Sequence, residues 1–375
     1  MVLKMMIKDP NSYKLLTPGP LTTSLTVRRE MLVDRCTWDD DYKEMTQFVR
    51  AELLKLAHVL EPEYTTVLMQ GSGTFAVESV LGSVNSEDDC VLVPVNGAYS
   101  ERMCRILQRY GIKFVRVDFG WNERVDCVRL KSVLEAHPEV TVLSIVHNET
   151  TSGLINDLAG VSAIARAHKL CLIVDAMSSF GAVDINAGEL GIDFLISSAN
   201  KCIQGVPGFA FVIARTERLR ASEGNARTIS LDLHAQWETM RDCNGKWRFT
   251  SPTHVVAAFA QALRELEAEG GVEARGRRYA CSNRKLRDGM RKLGFEPFVR
   301  EAFQGPIITT FLYPDGEKFD FKHMHAWLKE RGYVIYPGKL TDHDTFRLGN
   351  IGEIFESDID RILALFEQYT KEFVK

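Results

Sequence analysis

The sequence predicts an α/β protein, with a mainly parallel sheet flanked by helices and a smaller C-terminal α+β domain. Through about residue 250, short β-branched apolar runs alternate with helical stretches. The stretches between runs are long enough for crossover helices, which parallel neighbours require. Beyond 250 the pattern changes to long helices followed by scattered strands. Strands are expected over 65–69, 91–95, 113–118, 140–146, 170–175, 194–197 and 209–214, with helices over 74–81, 100–110, 129–136 and 158–168. In the second part, Val255, Val256, Phe259, Ala260, Leu263 and Leu266 recur at helical spacing within 251–270. A basic helical segment follows over 272–293, then strands over 307–313, 333–335 and 345–348 and helices over 321–331 and 356–372. The expected division is an N-terminal arm of the small domain (1–20), a large domain (21–250) and a small C-terminal domain (251–375).

The 375 residues carry a formal net charge of −4, with 26% charged and 45% hydrophobic side chains. No basic surplus exists to pull in phosphate backbones, so nucleic-acid binding is not expected. No apolar run reaches the roughly 18 residues of a membrane span, and MVLKMMIKDP lacks the apolar core of a signal peptide. A cytoplasmic location is therefore expected. None of the eight cysteines forms a C-x-x-C pair. Cys90 and Cys171 lie in apolar strand-like runs, where a small, buried, reduced thiol is expected.

Three expected strands end in polar residues suited to one charged aromatic ligand, and in an open parallel sheet ligands sit beyond the carboxyl ends of the strands. After the first comes Gln70-Gly71-Ser72-Gly73-Thr74. Its glycines allow close backbone approach, and its N–H groups and the following helix N-terminus favour a phosphate. G-x-G turns are common, so alone this motif says little, and no Walker Gly-Lys-Thr/Ser follows. Asp175 ends the run LCLIVD. It could simply cap the next turn, or hold a proton on a heterocyclic nitrogen and make a ring an electron sink. Lys201 follows Ser197-Ser198-Ala199-Asn200 and precedes a Gly/Pro-rich turn. Most lysines are solvated surface charges; here an amine could be shielded and its pKa lowered for Schiff-base chemistry.

Other conspicuous motifs have plainer readings. His323 and His325 sit in a helix-like stretch where they diverge, and Asp39-Asp40-Asp41 reads as an acidic loop or helix start, so no metal is expected. The Arg275–Arg278 run reads as a solvated helix face more readily than as an anion patch. Tyr336-Pro-Gly reads as a turn.

VDAMSSFG (Val174–Gly181), SSANKCIQGVPGFAFVIA (Ser197–Ala214), QGSGTFAVE (Gln70–Glu78) and KWRFTSPTH (Lys246–His254) together resemble the fold-type-I pyridoxal-phosphate (PLP) aminotransferases. LTPGPL, CTWDDDY, NGAYSERM, HNETTSG, LDLHAQW, YPGK and FRLGNIGE extend the likeness over nearly the whole chain, and narrow it to the branch acting on 2-aminoethylphosphonate and pyruvate. The resemblance implies the PLP fold and a homodimer. It assigns Lys201 to covalent attachment of the cofactor and Asp175 to the pyridine nitrogen. Ser72, Gly73 and Thr74 would cradle the phosphate, Tyr99 stack on the ring, and Thr151 approach its phenolic oxygen. Thr250 would reach the phosphate of the neighbouring subunit's cofactor, and Arg347 the substrate's anionic end. The small-molecule substrates would be 2-aminoethylphosphonate and pyruvate. Ser152 and Ala182 replace the Thr and Gly expected in many relatives.

Rival readings stay open at this level. The same scaffold serves alanine–glyoxylate and serine–pyruvate aminotransferases, and could host a non-catalytic PLP sensor. A nucleotide-binding oxidoreductase is disfavoured, because GSGTFA lacks the third glycine of G-x-G-x-x-G and no acidic ribose contact follows about 20 residues later.

Overall fold

The computed structural model describes residues 13–314, 319–340 and 343–374. Strand β1 (Lys14–Leu15) opens the described chain. The large domain supplies β2 (Tyr64–Gln70), β3 (Cys90–Val95), β4 (Lys113–Asp118) and β5 (Val142–Val146). A short hairpin of β6 (Asn148–Glu149) and β7 (Leu154–Ile155) comes next, then β8 (Cys171–Asp175), β9 (Phe194–Ser198) and β10 (Phe209–Arg215). Seven of these form one sheet in the order β2-β10-β9-β8-β5-β3-β4. Every pair is parallel except those made by β10, which runs antiparallel to both neighbours. The reason is the connection: residues 199–208 hold no helix, and a link that short cannot cross over to a parallel strand. Strands β5, β8 and β9 are buried along their whole length, which is why they read as unbroken apolar runs.

Register brings the chemistry-bearing ends together. Val146 pairs with Asp175 and Asp175 with Ile196, so β5, β8 and β9 end side by side. Strand β10 registers Phe209 with Gln70 and Ala210 with Ser198, which sets the end of β2 on the same edge.

The expected crossover helices form, as Gly73–Val84, Ala98–Tyr110, Cys127–Ala136 and Leu158–Ala167. Helices Asp40–Leu56 and Leu233–Asp242 were not expected. The first buries Tyr42, Val49, Leu53 and Leu54, and Asp39–Asp41 form its N-cap and first turn, where acidic groups suit the helix dipole. Helix Thr253–Glu269 buries Val256, Phe259, Leu263 and Leu266 in the core of the large sheet. This helix, expected at the start of the C-terminal part, thus packs against the large sheet.

The small domain pairs β11 (Ile308–Leu312) with β14 (Thr345–Gly349), and β14 with β13 (Tyr336–Pro337), while β12 (Tyr333–Val334) lies parallel to β1. Tyr336-Pro337 is thus an edge strand rather than a turn. Phe346 anchors an aromatic core with Phe295 and Phe311, at centroid distances of 5.6 and 5.7 Å. Within the Arg275–Arg278 run only Arg277 is solvated as expected. Arg275 is 2% exposed, donating to Glu269 and to the Cys202 carbonyl, while Arg278 pairs with the same glutamate. His323 meets the Tyr369 hydroxyl at 3.0 Å.

The N-terminal arm bridges the two halves. Leu16 N–H donates to Val334 O at 2.8 Å, and Gly349 N–H donates to Leu16 O at 3.0 Å. A Cβ at Gly349 would overlap the Thr17 carbonyl. The turn this contact holds, Pro18-Gly19, accepts a hydrogen bond from Lys201 Nζ at 2.7 Å through Pro18 O. Gly349→Ala is therefore expected to cost about 1–3 kcal/mol through overpacking and to lower turnover as the arm lifts from Lys201. Urea unfolding and steady-state rates check both; unchanged stability would show that the arm does not need this contact.

Candidate active site

At the carboxyl edge of the sheet lies a cavity of about 200 Å³. Asp175 enters from the end of β8, Ser198, Asn200 and Lys201 from the end of β9 and the turn beyond it, and Ser72-Gly73-Thr74 from the loop after β2. Helix Ala98–Tyr110 contributes Tyr99 and Arg102, and the β6–β7 hairpin contributes Asn148 and Thr150. Ser72, Gly73, Thr74, Tyr99, Asp175 and Lys201, singled out from sequence across 130 positions, thus line one space.

Burial governs the two ionisable groups at its centre. Asp175 is 4% exposed, and desolvation pushes its carboxyl up to about 7 against the Met177 N–H it accepts at 2.9 Å. Desolvation also holds the Lys201 ammonium below its ordinary range, against the opposing pull of Tyr99, Cys202 and Asp175. Each group is thereby driven toward its neutral form. Behind Asp175, the buried His147 donates its backbone N–H to the Asp175 carbonyl at 2.8 Å, and desolvation depresses its imidazole to about 4.

The phosphate-binding features sit at one end. Ser72 is the N-cap of helix Gly73–Val84, yet its side chain makes no cap hydrogen bond, so the hydroxyl and the first N–H groups are available to an anion. A Cβ at Gly73 would come within 2.5 Å of Met177 Sδ, so the flexible Met177 side chain packs directly on the start of the helix. Arg102 Nη1 donates to Thr74 Oγ1 at 2.8 Å, and its guanidinium lies 4.9 Å from the Tyr99 ring centroid. Arg102 was missed from sequence. The signal was its place three residues after Tyr99, on the same helix face.

Glu149 orients that helix. Fully buried, it accepts the N–H groups of Tyr99 and Ser100, both at 3.2 Å, and a Cβ on Gly97 would overlap its side chain. It also accepts the Thr151 hydroxyl at 2.6 Å, while Thr151 Oγ1 in turn accepts Ala98 N–H at 3.0 Å. The structure therefore does not bring Thr151 to the cavity: its hydroxyl is committed to the helix start, and Thr150 lines the space instead. Burial works to raise the Tyr99 phenol, but Lys201, Thr150, Lys339 and Arg347 outweigh it and hold it below its ordinary value.

Arg347, on β14, does not itself line the cavity but contacts Thr150, which does. It is 4% exposed and donates from Nε to Pro337 O at 3.0 Å and from Nη1 to Thr150 O at 3.2 Å. Thr250 stands apart: it is exposed and does not line this cavity.

The cavity fits PLP on its own terms. Ser198 Oγ and Asn148 Oδ1 are buried in its lining with no hydrogen-bond partner, as expected where a polar ligand completes the set. A free helix N-terminus with hydroxyls, an amine of depressed pKa and a buried carboxyl match the phosphate, aldehyde and ring nitrogen.

Because Asp175 titrates higher folded than the roughly 3.9 of an unfolded chain, its charge costs stability as pH rises between those values. Relative to Asp175→Asn, the cofactor-free protein is expected to lose on the order of 4 kcal/mol between about pH 4 and pH 7, with no further divergence above. Urea midpoints across this range measure the difference; parallel profiles would show the carboxyl to be unperturbed.

The family described as Aminotransferase class-V matches residues 38–341. A 2-aminoethylphosphonate–pyruvate transaminase of Lysinibacillus sphaericus is 53% identical over 359 residues, covering 96% of this chain and 98% of that protein. Among solved structures, a ureidoglycine–glyoxylate aminotransferase from Bacillus subtilis superposes with a TM-score of 0.88 at 22% identity, covering 97% of this chain and 94% of that one. An alanine–glyoxylate aminotransferase from Nostoc sp. gives 0.86 at 24% identity, covering 96% of each chain. Those two likenesses show the fold. With its own geometry and these matches in agreement, the chain belongs to the class-V aminotransferases, and the cofactor of its cavity is pyridoxal phosphate.

Proposed function

We propose that this protein transfers the amino group of 2-aminoethylphosphonate to pyruvate, giving phosphonoacetaldehyde and L-alanine. The observation that carries the reading is the cavity in which the half-buried Lys201 amine and the buried Asp175 carboxyl meet, with Arg347 donating to the carbonyl of Thr150 in its wall. The L. sphaericus transaminase, matched over almost its whole length, narrows the substrates.

PLP, when bound, supplies the electron sink that lets a proton leave the amine-bearing carbon. The chain's residues supply the rest. Lys201 Nζ, held below its ordinary pKa, is competent to attach the cofactor and, once displaced by substrate, to take that proton and return it. A protonated ring nitrogen would give the Asp175 carboxylate the cationic partner that its burial otherwise denies it, so the pair would keep the proton at that nitrogen. Ser72, Gly73 and Thr74, with Arg102 beside them, would hold the phosphate, and Tyr99 would cover the ring. Thr150, which lines the cavity, would face the bound ring more directly than Thr151. Arg347 holds the anionic end of either substrate with a planar fork.

We also propose a homodimer, in which Thr250 reaches the cofactor phosphate of a second copy. Thr250 is exposed beside Phe249, itself 51% exposed, and a hollow lined by Gly71, Phe75, Trp247 and Phe249 opens next to the phosphate loop. All eight cysteines are free, which suits the reducing cytoplasm where we place the protein. Among the described residues no helix is long and apolar enough to cross a membrane.

Purified protein given PLP, 2-aminoethylphosphonate and pyruvate is expected to form L-alanine, and Lys201→Ala to lose both turnover and the visible absorbance of the attached cofactor. Alanine formation by Lys201→Ala at the wild-type rate would refute the assignment. Arg347→Lys keeps the charge but loses the fork, and kcat/KM is expected to fall about ten-fold or more for both substrates; unchanged kinetics would remove Arg347 from the site.

A further inference from the structure

Charges around the cavity can be matched to roles one at a time. Asp175 serves the ring nitrogen, Lys201 the covalent link, and Arg102 stands at the phosphate loop beside Thr74. Glu149 is taken up by the N–H groups of Tyr99 and Ser100 and the Thr151 hydroxyl. Arg347 has committed Nε to Pro337 O and Nη1 to Thr150 O. What remains of its fork can satisfy the two oxygens of a carboxylate. A phosphonate brings a third oxygen and, like a phosphate ester, a second ionisation near neutrality.

One cation beside Tyr99 has no part in this scheme. Lys339 Nζ lies 4.2 Å from the centroid of the Tyr99 ring, and its charge and that of Arg347 both act on the Tyr99 phenol. The backbone delivers it there. Tyr336 pairs with Arg347 and Pro337 with Phe346, and Gly338 N–H donates to Thr345 O at 2.9 Å. A Cβ on Gly338 would overlap Thr345 Oγ1, so only glycine lets the chain hug β14 and present the next side chain to Tyr99.

We infer that Lys339 determines donor specificity, forming with Arg347 a two-cation seat for the phosphonate of the amino donor, while the acceptor's carboxylate relies on Arg347 alone. The inference rests on the proposed function and adds to it how one pocket accepts anions of different charge and shape.

The test compares two amino donors in single-turnover half-reactions of the PLP-loaded enzyme, followed by the cofactor's visible absorbance: 2-aminoethylphosphonate and L-alanine. Lys339→Met is expected to lose about ten-fold or more in efficiency with the phosphonate, through weaker apparent binding, the scale of one lost charge-assisted hydrogen bond. With L-alanine it is expected to stay within about three-fold of wild type, and Lys339→Arg to keep most phosphonate activity. Equal losses on both donors, as a structural role would give, or no loss on the phosphonate, would overturn the inference alone. Wild-type enzyme active on L-alanine but inert toward 2-aminoethylphosphonate would overturn the proposed function and this inference with it.

Discussion

Lys201 and Asp175 share one cavity, and burial acts on them in opposite directions: it depresses the ammonium and raises the carboxyl. Neither charge is comfortable there without a partner. A ring that bonds the amine at one position and presents a nitrogen to the carboxyl at another relieves both demands together. The architecture serves this arrangement. Parallel β8 and β9 set the two groups on one edge, and the antiparallel β10 sends the chain back through the sheet so that β2 can bring the phosphate loop to the same edge.

A second layer of buried polar contacts ties the small domain to this centre. The arm carrying Pro18 lies between β12 and the end of β14 and caps Lys201 Nζ. From β14 itself, Arg347 reaches the Thr150 carbonyl and lies over the Tyr336 ring. Arg275 and Tyr279, on helix Gly271–Lys292, both donate to the Cys202 carbonyl, next to the lysine. Substrate-holding and cofactor-holding groups are thus positioned by one continuous network, and a shift of the small domain would be felt at the lysine.

Much of this was legible in the sequence. The unbroken apolar runs of β5, β8 and β9 are the signature of buried parallel strands, and the polar residues ending them are where such sheets place ligands. Other features were hidden for physical reasons. Helix Asp40–Leu56 has charged residues threaded among its apolar positions, which blurs the helical period, although Tyr42, Val49 and Leu53 fall on one face. Arg275 looked solvated because three of four neighbouring positions are arginine; only tertiary structure shows that Glu269 and a carbonyl await it. Thr150 and Thr151 are adjacent and alike, so nothing local says which hydroxyl faces the cavity. The choice is made by Glu149, which captures one of them to cap a helix some 50 positions away.

The most direct measurement is a crystal structure of the protein loaded with PLP. The account predicts the cofactor joined to Lys201 Nζ, with its ring nitrogen within hydrogen-bond reach of the Asp175 carboxyl, about 2.6–3.2 Å. A ring bound elsewhere, or seated with its nitrogen turned away from Asp175, would contradict it.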